Sequence, residues 1–170
     1  MATYDFGDIY DCRKAPQGHF ILVLGKNQKD EVMYYMITSR VYKVFKDILL
    51  FFNDCIEKKY QRFFHHFNKE KEKEYISATG NLCDAFFLDK YTNYPGQLDA
   101  DSMVLLNGDP DLLDKQVFDR FRQGKIATFS TRLEKNDTEK FIKAIRLTDN
   151  ISPNQKSEIG RNYNLWRRSV

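Results

Sequence analysis

An imidazole, two hydroxyls and a guanidinium stand at the two ends of one short stretch of chain: His19 near its start, and Thr38, Ser39 and Arg40 at its close. These side chains form a chemically coherent set. An imidazole titrates near neutrality and can move a proton in either direction. A guanidinium clamps a phosphate through parallel hydrogen bonds, and hydroxyls donate to a phosphate oxygen. Each residue also has a simpler role open to it. His19 follows Gly18 in a turn, where solvent alone accounts for it. Ser39 stands where a helix beginning near Val41 needs its N-cap. Arg40 in a first helical turn opposes the helix dipole, and a neighbouring carboxylate would hold it there as well as a ligand would.

The chain between these ends is what must bring them together. Phe20 to Leu24 is a nearly continuous apolar run, which suits a strand buried on both faces. A polar loop follows, Lys26 to Asp30, and then EVMYYMITSR reads as a second strand. The whole is a β-hairpin. In an antiparallel pair the start of one strand lies beside the end of the other, so His19 and residues 38–40 should converge across about twenty intervening positions.

The remaining elements follow from periodicity. Gly7 to Cys12 alternates as a first strand. Val41, Phe45, Ile48, Leu49 and Phe52 recur at helical spacing, and a second helix is expected from Glu57 to about Lys73. Short strands are expected at Glu74–Ala78, Asp84–Asp89 and Ser102–Asn107. Asp109 with Pro110 should open a helix that Gly124 closes. A strand is expected within 125–133. A helix capped by Asn136 or Asp137 should then bury Phe141, Ile142, Ile145 and Leu147. Ser152-Pro153 begins a last helical turn or two through Ile159. The expected class is a single α+β domain over 1–170, a small curled sheet or barrel with strands within 7–40 and 74–133. The helical insertion would cover about 41–73 and the C-terminal helical part 137–170.

Composition narrows the function classes. The chain is 42% hydrophobic and 15% aromatic, too apolar for a disordered segment. A net charge of +3 permits an anionic partner without requiring one. The three cysteines, Cys12, Cys55 and Cys83, are too far apart for a zinc or redox motif and read as reduced thiols. No apolar signal core opens the chain, and Ile48–Phe52 falls far short of the ~20 residues a spanning helix needs. A cytoplasmic protein without membrane contact is expected. His65 and His66 are adjacent on a helix, about 100° apart, so they do not readily share a metal. Asp99 and Asp101 flank a turn. With no phosphate-binding Gly-rich loop, nucleophile elbow or zinc-protease motif, neither a metal nor a cofactor is expected.

Several residues suit nucleic acid. Arg13 and Lys14 extend a cationic surface beside His19, and Tyr91, Asn93 and Tyr94 precede Pro95 in a loop where they can stack on bases. Trp166, with Arg161, Arg167 and Arg168, forms a second basic-aromatic cluster that could bind nucleic acid or a partner protein, though such a tail more often docks its ring and leaves its charges in water.

Gly7-Asp8-Ile9, the run Gly18-His19-Phe20-Ile21-Leu22-Val23-Leu24, the strand-ending Ile37-Thr38-Ser39, and the turn and strand from Leu98 to Leu105 together resemble the MazF/PemK-like toxins of type II toxin–antitoxin systems. Phe141 to Ile145 is similar to that family's C-terminal helix. The resemblance implies an SH3-like barrel, usually dimeric, that cleaves single-stranded RNA without a metal and is neutralised by an antitoxin. A base would take the proton of a ribose 2′-hydroxyl, an acid would protonate the leaving 5′-oxygen, and a cation would stabilise the charged transition state. It implies His19, Thr38, Ser39 and Arg40 as the catalytic group, with Arg13, Lys14, Tyr91, Asn93 and Tyr94 binding RNA. This chain has neither the Arg nor the Pro of the family's Gly-His-Arg-Pro motif. A non-catalytic barrel that binds nucleic acid or a partner protein is the alternative expectation.

Overall fold

A computed structural model of the chain describes residues 5–15, 18–38, 84–88, 94, 97–98, 102–106 and 108–169. Its strands are β1 (Asp8–Asp11), β2 (Phe20–Lys26), β3 (Glu31–Thr38), β4 (Asp84–Leu88), β5 (Ser102–Leu106), β6 (Asp111–Asp114) and β7 (Thr128–Arg132). Its helices are α1 (Lys115–Gln123), α2 (Lys135–Leu147) and α3 (Pro153–Ser169). The class is α+β. The expected helices within 41–73 and the expected strand at 74–78 lie outside the described residues.

β2 is the centre of the molecule, and its sequence explains why. Six of its seven residues are buried, Phe20 through Gly25. Alternation sends Phe20, Leu22 and Leu24 to one face, into a core with Phe141, Ile145, Ile159 and Tyr163 from α2 and α3. Ile21 and Val23 go to the other face and meet Tyr10, Val32 and Phe118, the last from α1. β2 pairs antiparallel with β1 on one edge, Ile9 opposite Leu22, and with β3 on the other, Phe20 opposite Ile37.

The hairpin register shifts between Val23 and Lys26. Gly25, at φ 85°, occupies the shift. This is a left-handed conformation that costs a side-chain-bearing residue about 1–3 kcal/mol. The distorted ladder leaves two carbonyls turned toward α3. Asn162 satisfies both, donating from Nδ2 to Leu24 O at 2.9 Å and to Lys26 O at 2.8 Å. A Cβ on Gly25 would lie 2.8 Å from that same Nδ2. The bulge and the helix are therefore fitted to each other.

The seven-stranded sheet runs β4-β5-β3-β2-β1-β7, with β6 also paired to β3. β3 serves two strands along one edge. Its C-terminal end pairs with β5, Ile37 opposite Val104, and its N-terminal half with β6, Val32 opposite Leu113. This pairing corrects the expected helix start at Asp109-Pro110. Residues 111–114 complete the open edge of β3, and the helix begins only at Lys115. Its N-cap is Asp114, whose carboxylate accepts from Gln116 N at 2.9 Å. Asp109 instead accepts from Ser152 N at 2.7 Å, tying the β5–β6 turn to the start of α3. Gly124 does close α1.

Three more features differ from expectation. α2 begins at Lys135 without a side-chain cap, because Asp137 is turned inward to Tyr94. Leu147 is 60% exposed, not buried. α3 continues well beyond Ile159 to Ser169, because Tyr163 and Trp166 pack on Phe6 at ring separations of 5.6 and 6.4 Å. Among the described residues the sheet is open, with no ladder from β4 to β7. None of their helices is long and apolar enough to cross a membrane.

The bulge makes a quantitative prediction. Gly25→Ala should destabilise the fold by about 1–3 kcal/mol, and Asn162→Ala by a similar amount through two orphaned carbonyls, about 1–3 kcal/mol. Because the alanine methyl collides with the Asn162 amide, the double variant should lose less than the sum of the two. Urea midpoints of the four proteins measure this directly, and strict additivity would show that bulge and helix are not coupled.

Candidate nucleic-acid interface at the open end of the hairpin

The β2–β3 register carries the two ends of the hairpin to one place. Phe20 is opposite Ile37, so one step further the position opposite Thr38 is His19. Directly opposed residues of an antiparallel pair share a face, and alternation makes this the face of Ile21, Tyr34 and Met36, on the α1 side of the sheet. Thr38 is also paired to Met103 of β5. Ser39 and Arg40 lie outside the described residues.

The loop before His19 is held from two sides. Cys12 N donates to His19 O at 3.0 Å. A Cβ on Gly18 would overlap the Arg13 carbonyl, so only glycine lets the chain pass there. Arg13 is fixed by Asp11, with Nη2 2.8 Å from Oδ2 and Nε 3.0 Å from Oδ1. Its guanidinium carbon sits 4.7 Å from the centre of the Phe20 ring, a cation–π contact. The cation is thus held over Phe20, whose side chain faces the α2/α3 core, while His19 lines the pocket on the other face of the sheet. The same guanidinium holds the Asp11 carboxyl below its ordinary range. Lys14 is exposed.

His19 lines a pocket of about 280 Å³ with Cys12, Ile21, Tyr34, Met36, Leu113, Phe118 and Phe121 among its walls. α1 forms one wall and β6 contributes Leu113. The pocket is mostly apolar, with the imidazole, a thiol and a phenol as its polar groups. Burial, reinforced by the nearby Asp11 charge, pushes the Cys12 thiol up to about 11. Burial also raises Tyr34. Both stay neutral at physiological pH, so neither is an anionic nucleophile or base there.

Tyr94 is not at a surface. It is 1% exposed, donates its hydroxyl to Asp137 Oδ2 at 2.6 Å and accepts from Glu134 N at 3.2 Å. Its ring is unavailable for base stacking in this structure, and burial beside Asp137 raises its pKa. Tyr91 and Asn93 lie outside the described residues. Trp166 packs on the core while Arg161, Arg167 and Arg168 stay at the surface, the docked arrangement expected of such a tail. Among the described residues no group of three His, Cys, Asp or Glu side chains is placed to hold a metal.

Sequence reading missed the walls of the His19 pocket. The available signal was strand parity: Tyr34 and Met36 lie four and two residues before Thr38, so they share its face. The contribution of Phe118 and Phe121 had no local signal, since only the packing of α1 across the sheet brings them there.

The Cys12 environment predicts slow alkylation. At pH 8 the Cys12 peptide of the native protein should react with iodoacetamide about tenfold or more slowly than in the unfolded chain. The stabilising effect of keeping this thiol neutral should be complete below 9.0 and lost as pH rises through about 11. Peptide-resolved mass spectrometry reads the rates, and equal rates at pH 8 would refute the buried, neutral thiol. Comparison of the chain with protein-family models, with curated proteins and with solved structures gives no match, so the functional reading rests on the chemistry of these residues.

Proposed function

We propose that this chain is a toxin-like, metal-independent endoribonuclease that cleaves single-stranded RNA, with its sheet organised as a small SH3-like barrel. The observation that carries the reading is the β2–β3 register, which continued one step past Phe20 and Ile37 sets His19 opposite Thr38. In this reading His19 transfers the proton between the ribose 2′-hydroxyl and the leaving 5′-oxygen. The 2′-oxygen attacks phosphorus, the P–O5′ bond breaks, and the products are a 2′,3′-cyclic phosphate and a 5′-hydroxyl. Thr38 and Ser39 donate to a non-bridging oxygen, and Arg40 offsets the charge that develops there, while Arg13 contacts the RNA away from the reacting phosphate. Lys14 extends the cationic rim. The same reading makes the protein cytoplasmic and dimeric, with an antitoxin covering the RNA face.

Two observations favour a second reading, a non-catalytic barrel that binds nucleic acid or a protein. Arg13 is already engaged by Asp11 at 2.8 Å, and the pocket beneath His19 is largely apolar, so binding is better provided for than phosphate chemistry.

The experiment that separates the two is incubation of the purified protein with single-stranded RNA in excess EDTA. Cleavage to cyclic-phosphate ends, reduced about 10²–10⁴-fold by His19→Ala and less steeply by Thr38→Val, supports the nuclease. RNA that is bound but returned intact supports the second reading. Cleavage by His19→Ala at the full rate removes the imidazole from the mechanism.

A further inference from the structure

The α1 face of the sheet has a second opening, on the far flank of the helix from His19. One row of side chains crosses four strands: Met36 is opposite Ile21, Ile21 opposite Tyr10, and Tyr10 opposite Phe129. α1 covers the middle of the row, with Phe118 edge-on to Tyr10 at 5.2 Å. The ends are left open. Met36 is 45% exposed toward the His19 pocket, and Phe129 is 52% exposed on β7. Beside Phe129 lies a basin of about 560 Å³ whose walls include Tyr10, Arg122, Lys125 and Thr128.

Two cations, Arg122 and Lys125, line this basin with one carboxylate, Asp119. The segment that supplies them, residues 115–125, carries four basic residues against that single carboxylate. Arg122 is pre-positioned, its guanidinium carbon 5.7 Å from the Tyr10 ring centre and Nη1 3.4 Å from Asp119. Lys125 is exposed and held at φ 58° in the turn after α1. An open aromatic ring beside fixed cations suits a ligand that is both planar and anionic. An apolar peptide face would match the ring but not the rim.

The basin is also close to the first site. Ile126 lines the His19 pocket, and its neighbour Ala127 lines this one. His19 precedes β2 and Phe129 is on β7, two strand spacings away, about 10 Å. We propose that the basin is a second contact site for single-stranded RNA, in which a base stacks on Phe129 and a neighbouring phosphate meets Lys125 and Arg122. The proposal rests on the RNA reading above and extends it, giving the strand a path from the hairpin end around the C-terminus of α1.

The test is binding of a fluorescein-labelled 12-nucleotide oligouridine RNA to the full chain carrying His19→Ala, so that cleavage does not intervene. In that background Phe129→Ala should weaken binding about tenfold and Phe129→Trp should restore it. Lys125→Ala should reduce the slope of log affinity against log salt by about 0.7. Phe129 and Lys125 are exposed, and unchanged thermal unfolding checks that the variants fold. If the parent binds the RNA and both alanine variants bind it equally well with the same salt slope, the basin proposal is overturned while the RNA reading stands, and the surface is left to a protein partner. If the parent and the wild-type chain bind no RNA, both fall together.

Discussion

A strand that is apolar on both faces cannot be stable at the surface of anything, and β2 imposes that constraint on the whole molecule. Its even-numbered side chains need one cover and its odd-numbered side chains another. α2 and α3 supply the first, through Phe141, Ile145 and Ile159. α1 supplies the second, through Phe118. The sheet is therefore enclosed at its centre and exposed toward its margins. The join between the two requirements is the bulge at Gly25, where an interrupted ladder is completed by a side chain of the C-terminal helix. A single glycine, free to adopt φ 85°, lets α3 approach the hairpin closely enough to do this.

Buried polar groups fix the loops around that centre. Asp8 is almost fully buried, and Arg132 Nε meets its Oδ1 at 2.7 Å across the β1–β7 pair. Burial raises its pKa, opposed by the Asp5 amide and by Arg132, so the pair orients the edge more than it stabilises it. Tyr94 joins Asp137 to the backbone at Glu134, and Tyr35 donates to Gly108 O at 2.8 Å. Each of these contacts links segments far apart in the chain. An apolar contact in the same place would tolerate small displacements, whereas a hydrogen bond loses most of its strength when its geometry is lost.

The functional reading follows from the placement of α1. Lying across the sheet, the helix divides one face into two openings, each with an exposed apolar side chain at its mouth: Met36 beside His19 on one flank, Phe129 beside Lys125 on the other. Its last turn is basic, which favours the helix dipole and also sets positive charge near the rim of the second opening. Arg122, which satisfies the helix dipole, is thus also one that the proposed RNA contact draws on.

The apolar run from Phe20 to Leu24 was enough by itself to determine a doubly buried strand, and the polar stretch after it a hairpin, because alternation and turn chemistry are local properties. From that hairpin follows the expectation that His19 and Thr38 lie opposite each other, and the β2–β3 register continued one step past Phe20 and Ile37 agrees with it, although the bulge within that register is completed only by Asn162 of α3. Helical spacing likewise located α2. What residues 111–114 would become was not local: their pattern suits a helix, and the unpaired edge of β3 makes them a strand. Tyr94 reads as a loop aromatic open to bases, yet Asp137, 43 residues further on, draws it inside. The Phe129 basin lies beyond sequence reading for the same reason. It exists only because β7 pairs with β1 and α1 stops short of covering it, and both depend on contacts between residues far apart in the chain.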